Sequence, residues 1–163
     1  MMALEIGQEA PDFEALDHEG KPFRLSSLKG KRIILYFYPK DDTPGCTNEA
    51  ISLSNYYDCF KKLGYEIVGV STDSVESHQK FRKKYNIPFT LIADTNKEVV
   101  QKYGVWGEKK RFGKTYFGIN RTTFIIDENF RIKHIIKKVD TKNHAQQIAK
   151  LENINLEKCE FTN

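Results

Sequence analysis

The residues best placed to do chemistry in this chain are Thr43, Pro44, Gly45 and Cys46. They follow an apolar run, Ile33 to Tyr38, and open a stretch of helical periodicity. Threonine is a good helix N-cap, because its hydroxyl can accept a bond from an amide two or three residues on. Proline suits the first helical position, where its missing N–H would have had no partner. That counting places Cys46 at N3, in the first turn. A thiolate there meets unpaired backbone N–H groups and the positive end of the helix dipole. The thiolate is the reactive form of cysteine, and a thiol at about pKa 8.5 is mostly un-ionised at pH 7. Making thiolate the main form takes about 2.7 kcal/mol of preferential stabilisation. A helix N-terminus supplies about 0.3–1 kcal/mol, rising to about 2 when partly buried. A nearby arginine must provide the rest.

Cys46 shares a helical stripe with Ala50, Leu53, Tyr57 and Phe60, so it should point into the body, at the base of a pocket. A cysteine on an apolar stripe is more often an inert core residue. Here the Thr-Pro-Gly lead-in favours a nucleophile, since it sits between a buried strand and a helix, where α/β sheets put their active sites.

The surrounding elements follow from periodicity and turn residues. Residues 13–16 and 23–25 read as an N-terminal hairpin. Ile33 to Tyr38 reads as a strand buried on both faces and ended by Pro39. A helix is expected over about 44–63, stopped by Gly64, and a second buried strand over 65–71. A helix over about 75–85, a strand over 89–93 and a short helix near 97–103 follow. Residues 104–118, with four glycines and a Lys-Lys-Arg cluster, read as a loop. Strands over 122–127 and 131–138 form an antiparallel hairpin, and a helix over 143–151 closes the order. Alternating β and α units imply parallel strands with right-handed crossovers. The pattern resembles an α/β, thioredoxin-like fold with a mixed central sheet, flanking helices and an N-terminal β-hairpin extension. One domain is expected over residues 1–153, with a C-terminal tail over 154–163.

The segment Pro39-x-x-x-Thr43-x-x-Cys46 resembles the peroxiredoxin signature. The fuller run from Tyr36 to Thr47 is similar to the peroxiredoxin Q, or bacterioferritin comigratory protein, subfamily. So are Gly104 to Lys109, Gly113 to Tyr116, Gly118 to Arg121 and the opening Gly7-x-x-Ala10-Pro11-Asp12-Phe13. The resemblance runs from about Ile6 to Leu151. It implies a thiol peroxidase that reduces hydrogen peroxide and organic hydroperoxides through a Cys46 sulfenic acid. It makes Cys46 the peroxidatic cysteine, Thr43 the hydroxyl that bonds the peroxide, Arg121 the charge beside the thiolate, and Pro39 the shield from water. Many relatives in the subfamily carry a resolving cysteine five residues after the peroxidatic one, but Ile51 stands there.

Two other cysteines are available. Cys59 lies thirteen residues on, roughly 19.5 Å along a continuous helix and off the apolar stripe, so it is expected as a partly exposed bystander. A disulfide to Cys46 would need Cα atoms about 4.4–6.8 Å apart. Cys159, in the tail, is the candidate resolving residue within the protein. The leading expectation is a one-cysteine cycle in which a thioredoxin-like or other external thiol reduces the sulfenate. A peroxide-sensing relay protein is the alternative function; the absence of CxxC disfavours a disulfide oxidoreductase.

Composition bounds the rest. At 163 residues, 39% hydrophobic and 29% charged, the chain fits one globular domain. The net charge of +4 is spread along the chain without a nucleic-acid motif, so no nucleic-acid partner is expected. The longest apolar run is too short to span a bilayer, so no membrane partner is expected either. The N-terminal residues carry no basic-then-apolar leader, which suggests a cytoplasmic protein. The four histidines show no metal-ligand spacing, so neither metal nor cofactor is expected, and the resemblance suggests a monomer or weak homodimer.

Overall fold

The computed structural model describes residues 3–160. The strand that the sequence marks as most apolar becomes the middle of the sheet. β3 (Arg32–Phe37) alternates its side chains between two cores. Ile34 and Tyr36 face one way, and Ile33, Leu35 and Phe37 face the other. β3 pairs in parallel with β4 (Tyr65–Ser71), which pairs in parallel with β5 (Thr90–Ala93). On its other side β3 pairs antiparallel with β8 (Thr122–Ile126), and β8 with β9 (Ile132–Ile136). The N-terminal hairpin, β1 (Glu14–Asp17) and β2 (Pro22–Arg24), joins through β1 against β5. The result is a seven-stranded mixed sheet in the order β2-β1-β5-β4-β3-β8-β9.

One face is covered by α1 (Pro44–Asn55), α2 (Tyr57–Lys62), α3 (Val75–Tyr85) and α5 (His144–Leu151). The other is covered by α4 (Glu98–Lys102) and the N-terminal segment through Ala10 and Phe13. Gly69 in β4 makes room for the first core: a Cβ there would lie 2.9 Å from the Tyr36 ring and from Leu91.

Three expectations need correcting. The helix over 44–63 is two helices, broken at Tyr56 (φ −116, ψ 12). The Ser54 hydroxyl donates to the Ala50 carbonyl at 2.6 Å, and such back-bonding bends helices. The break turns the next segment so that Tyr57, Cys59 and Phe60 are all buried, whereas Cys59 was expected to be partly exposed. Residues 104–118 are mostly a hairpin rather than a loop: β6 (Trp106–Arg111) pairs with β7 (Lys114–Ile119) around a Phe112-Gly113 turn. Both turn residues have positive φ, the requirement of a type I′ turn.

The third correction concerns the segment expected as a tail. It forms α6 (Leu156–Glu160), with Leu156 buried, and Cys159 is joined to Cys59 by a disulfide with Cα atoms 5.4 Å apart. Residues 161–163 of that segment lie outside the described residues.

The disulfide spans a sequence separation of 100. A loop of that length should stabilise the fold by up to about 4–5 kcal/mol through restriction of the unfolded chain. Urea unfolding should therefore show a lower midpoint for reduced than for oxidised protein. Cys159→Ala should match the reduced protein and ignore reductant; superimposable curves for oxidised and reduced protein would contradict this staple.

Candidate active site

Cys46 lies in the first turn of α1, directly after the loop that leaves β3, and is 1% exposed. The helix begins as the sequence suggests, with Thr43 extended at the N-cap and Pro44 at the start. The Thr43 hydroxyl does not cap an amide, however. It donates to the Lys40 carbonyl at 2.8 Å, so it tightens the loop instead, and its lone pairs remain. Pro39 is half-buried beside this loop.

Arg121 stands in the short connection between β7 and β8. Its Nη2 donates to Cys46 Sγ at 3.3 Å, and its Nη1 donates to Glu49 Oε1 at 2.7 Å. Gly45 permits this approach, because a Cβ there would meet Arg121 Nη2 at 3.1 Å. Burial disfavours the guanidinium charge, but Glu49 and Cys46 outweigh it and hold the Arg121 pKa above its ordinary value. Thus the structure brings together Cys46, Thr43, Pro39 and Arg121 at one end of the sheet. Cys159 is committed to Cys59.

Glu49 is the residue that the sequence reading missed. It is fully buried, one turn after Cys46 on the same helix face, and that i, i+3 spacing was the available signal. Burial pushes its pKa up to about 7, against the opposing pull of Arg121. Its Oε2 has no hydrogen-bond partner and lies 3.5 Å from His144 Nε2. His144 is also fully buried. Its Nδ1 faces Gln147 Oε1 at 2.9 Å, and that oxygen also accepts from the Asp140 amide. Nδ1 therefore carries the ring proton. Burial holds the His144 pKa down at about 4, so Nε2 presents a lone pair, which the Thr123 hydroxyl contacts at 2.8 Å. The Tyr36 hydroxyl is likewise buried without a partner.

A second set of buried groups fixes the loop before Cys46. Asp41 accepts from Tyr38 Oη and Ser77 Oγ, and its Oδ2 lies 2.7 Å from His78 Nδ1. His78 Nε2 donates to the Ile92 carbonyl, and the Asp41 amide donates to Asp73. Asp42, at φ 55, accepts from Lys84 and Tyr85 of α3. Asp41, Asp73 and His78 bring ligand-type atoms within 4.8 Å of one another, but those atoms are engaged in this tether.

Glu49 and His144 set opposing pH dependences. The folded state keeps the Glu49 proton to about pH 7, whereas the unfolded chain loses it near 4.5. Folded protein binds the extra proton in that window, so stability falls as pH rises through it. His144 stays neutral down to about 4 when folded and titrates near 6.5 when unfolded, so stability rises across that window. Glu49→Gln should leave the rise, and His144→Gln should leave the fall, each at most about 1.4 kcal/mol per pH unit. Denaturant titrations between about pH 4.5 and 6.5 test this; parallel profiles for both variants and the wild type would contradict it.

The AhpC/TSA family model matches residues 6–135. A curated relative described as a putative peroxiredoxin bcp, from Coxiella burnetii, is 48% identical over 148 residues, covering 91% of this chain and 98% of its own. Peroxiredoxin Bcp of Bacillus subtilis is 47% identical, covering 90% and 93%. Among solved structures, the bacterioferritin comigratory protein of Xanthomonas campestris, described for alkyl peroxide reduction, superposes with a TM-score of 0.83 at 32% identity, covering 91% and 98%. The thioredoxin-like peroxiredoxin fold expected from the sequence is the fold of these neighbours.

Proposed function

The chain belongs to the AhpC/TSA family, and from that membership and the Arg121–Cys46 contact we infer that it is a thiol-dependent peroxidase. The observation that carries the reading is the guanidinium held 3.3 Å from a buried sulfur in the first turn of a helix. Helix amides and Arg121 both favour an anion there. The Cys46 thiolate attacks one oxygen of the peroxide in line. An S–O bond forms to the peroxide's O–H oxygen, which keeps its hydrogen, the O–O bond breaks, and the leaving oxygen takes the electron pair and then a proton from solvent to depart as water or alcohol. Cys46 is left as a sulfenic acid. Charge develops on the leaving oxygen, where Arg121 and the free amides of the helix start are positioned donors. The Thr43 hydroxyl spends its proton on Lys40, so it can accept from the O–H of the peroxide and orient it. Pro39 limits water at the mouth.

The reductant is an external thiol of the thioredoxin type. Ile51 occupies the position of a local resolving cysteine, and Cys59 and Cys159 are tied to each other. Hydrogen peroxide and organic hydroperoxides are the substrates, in line with the alkyl peroxide reduction described for the Xanthomonas neighbour. No helix among the described residues is long and apolar enough to cross a membrane. We place the protein in the cytoplasm as a monomer or weak homodimer.

Peroxide consumption with excess dithiol tests the reading. Cys46→Ser should abolish turnover, and Arg121→Ala should lower kcat/KM by roughly 10²–10³-fold. The Cys59→Ala, Cys159→Ala double variant should turn over fully with thioredoxin. Loss of turnover in that variant would sink the one-cysteine cycle, and a wild type that reacts once and stalls would be a sensor instead.

A further inference from the structure

The β6–β7 hairpin combines features that the fold does not explain. Phe112 occupies the first position of its turn at φ 53 and is 91% exposed. Bulky side chains rarely adopt the left-handed region, and asparagine or glycine is usual at such a turn. Both its backbone and its ring are therefore in unfavourable settings. Among the described residues, every exposed large aromatic side chain is on this hairpin: Phe112, Tyr116 and Phe117. Phe117 lies opposite Glu108 on one face, and Tyr116 opposite Lys109 on the other. Apolar surface thus shows at the tip and on both faces. The tip is ringed by exposed Lys110, Arg111 and Lys114, with Arg111 5.3 Å from the centre of the Phe112 ring.

We propose that this hairpin docks on an anionic lipid surface, with Phe112 inserted at the headgroup level and the surrounding cations on lipid phosphates. Aromatic and cationic side chains together are what such an interface takes up, and clustered Lys and Arg are attracted to anionic leaflets. A flat protein partner would cover one face of the hairpin and leave the other wet; a deformable lipid phase accepts the tip and both faces together. A second copy of this chain would bring two basic tips into apposition. The expectation of no membrane partner rested on span length, and surface docking needs no span. β7 ends two residues before Arg121, so the docked hairpin would tether the Cys46 pocket to the lipid surface at a distance set by the length of the strand.

The full-length protein can be mixed with vesicles of phosphatidylcholine alone or with added phosphatidylglycerol. Cosedimentation and the fluorescence of Trp106, the single tryptophan, would report binding. Binding should favour the anionic vesicles and weaken with salt. Phe112→Asn, which suits the turn and should fold at least as stably, should weaken it several-fold. The double variant Lys110→Glu, Arg111→Glu should weaken it by at least about tenfold. Hydrogen peroxide turnover in solution should not change in either. The proposal is overturned by no binding to anionic vesicles at low salt, by salt-indifferent binding to both compositions, or by unaltered binding in both variants. Hairpin-dependent dimerisation or capture of an acidic protein, without vesicle binding, would overturn it equally.

Discussion

One guanidinium is shared between a carboxylate and a sulfur in a space nearly closed to water. Arg121 reaches Glu49 through Nη1 and Cys46 through Nη2, and much of the nearby structure serves that fork. Planar Arg donors have fixed directions, so both acceptors must be held at matching positions. Putting Glu49 and Cys46 one turn apart on α1 does this for the acceptors. Placing Arg121 at the entry to β8, a strand buried along its whole length, does it for the donor. Gly45 supplies the clearance between them.

The fork also carries a conflict. A buried cation faces two groups that can be anions, while the second Glu49 oxygen meets a histidine lone pair instead of a donor. Buried polar groups without partners are uncommon, and two of them, Glu49 Oε2 and Tyr36 Oη, fall beside the reacting sulfur. A proton on Glu49 eases the contact with His144 and leaves more of the Arg121 charge to Cys46. The raised Glu49 pKa is the same conflict seen from the carboxylate. The Asp41 tether, by contrast, is well satisfied, and it fixes the loop whose geometry aims Thr43.

Legibility in the sequence followed the range of the interactions. The start of α1, and with it the place of Cys46, was readable from Thr43 and Pro44, and the structure keeps that start although the Thr43 hydroxyl bonds the Lys40 carbonyl rather than an amide. β3 and β4 were readable because strands buried on both faces have continuous apolar runs. Arg121 was reachable only through family resemblance, since 75 residues separate it from Cys46. His144 had no local signal, because its role depends on α5 packing across α1. The β6–β7 hairpin hid behind consecutive lysines that obscure the period of two, and the Tyr56 break behind a serine whose hydroxyl competes with the helix ladder. The pairing of Cys59 with Cys159 depends on that break and on α6, so no helical wheel drawn through residue 63 could place it.

The interruption at Tyr56 divides the long helical region into two separately anchored helices. The later one, α2, is anchored by the disulfide and by the burial of Tyr57 and Phe60. The earlier one, α1, opens on its catalytic turn, where Thr43, Pro44 and Gly45 are not fully buried. Local opening tends to follow such boundaries. A protein thiol is far bulkier than a peroxide and needs a sulfur that is 1% exposed to come outward. Fraying the first turn of α1 can present that sulfur while the remainder of the helical layer, held from its far end, keeps its packing.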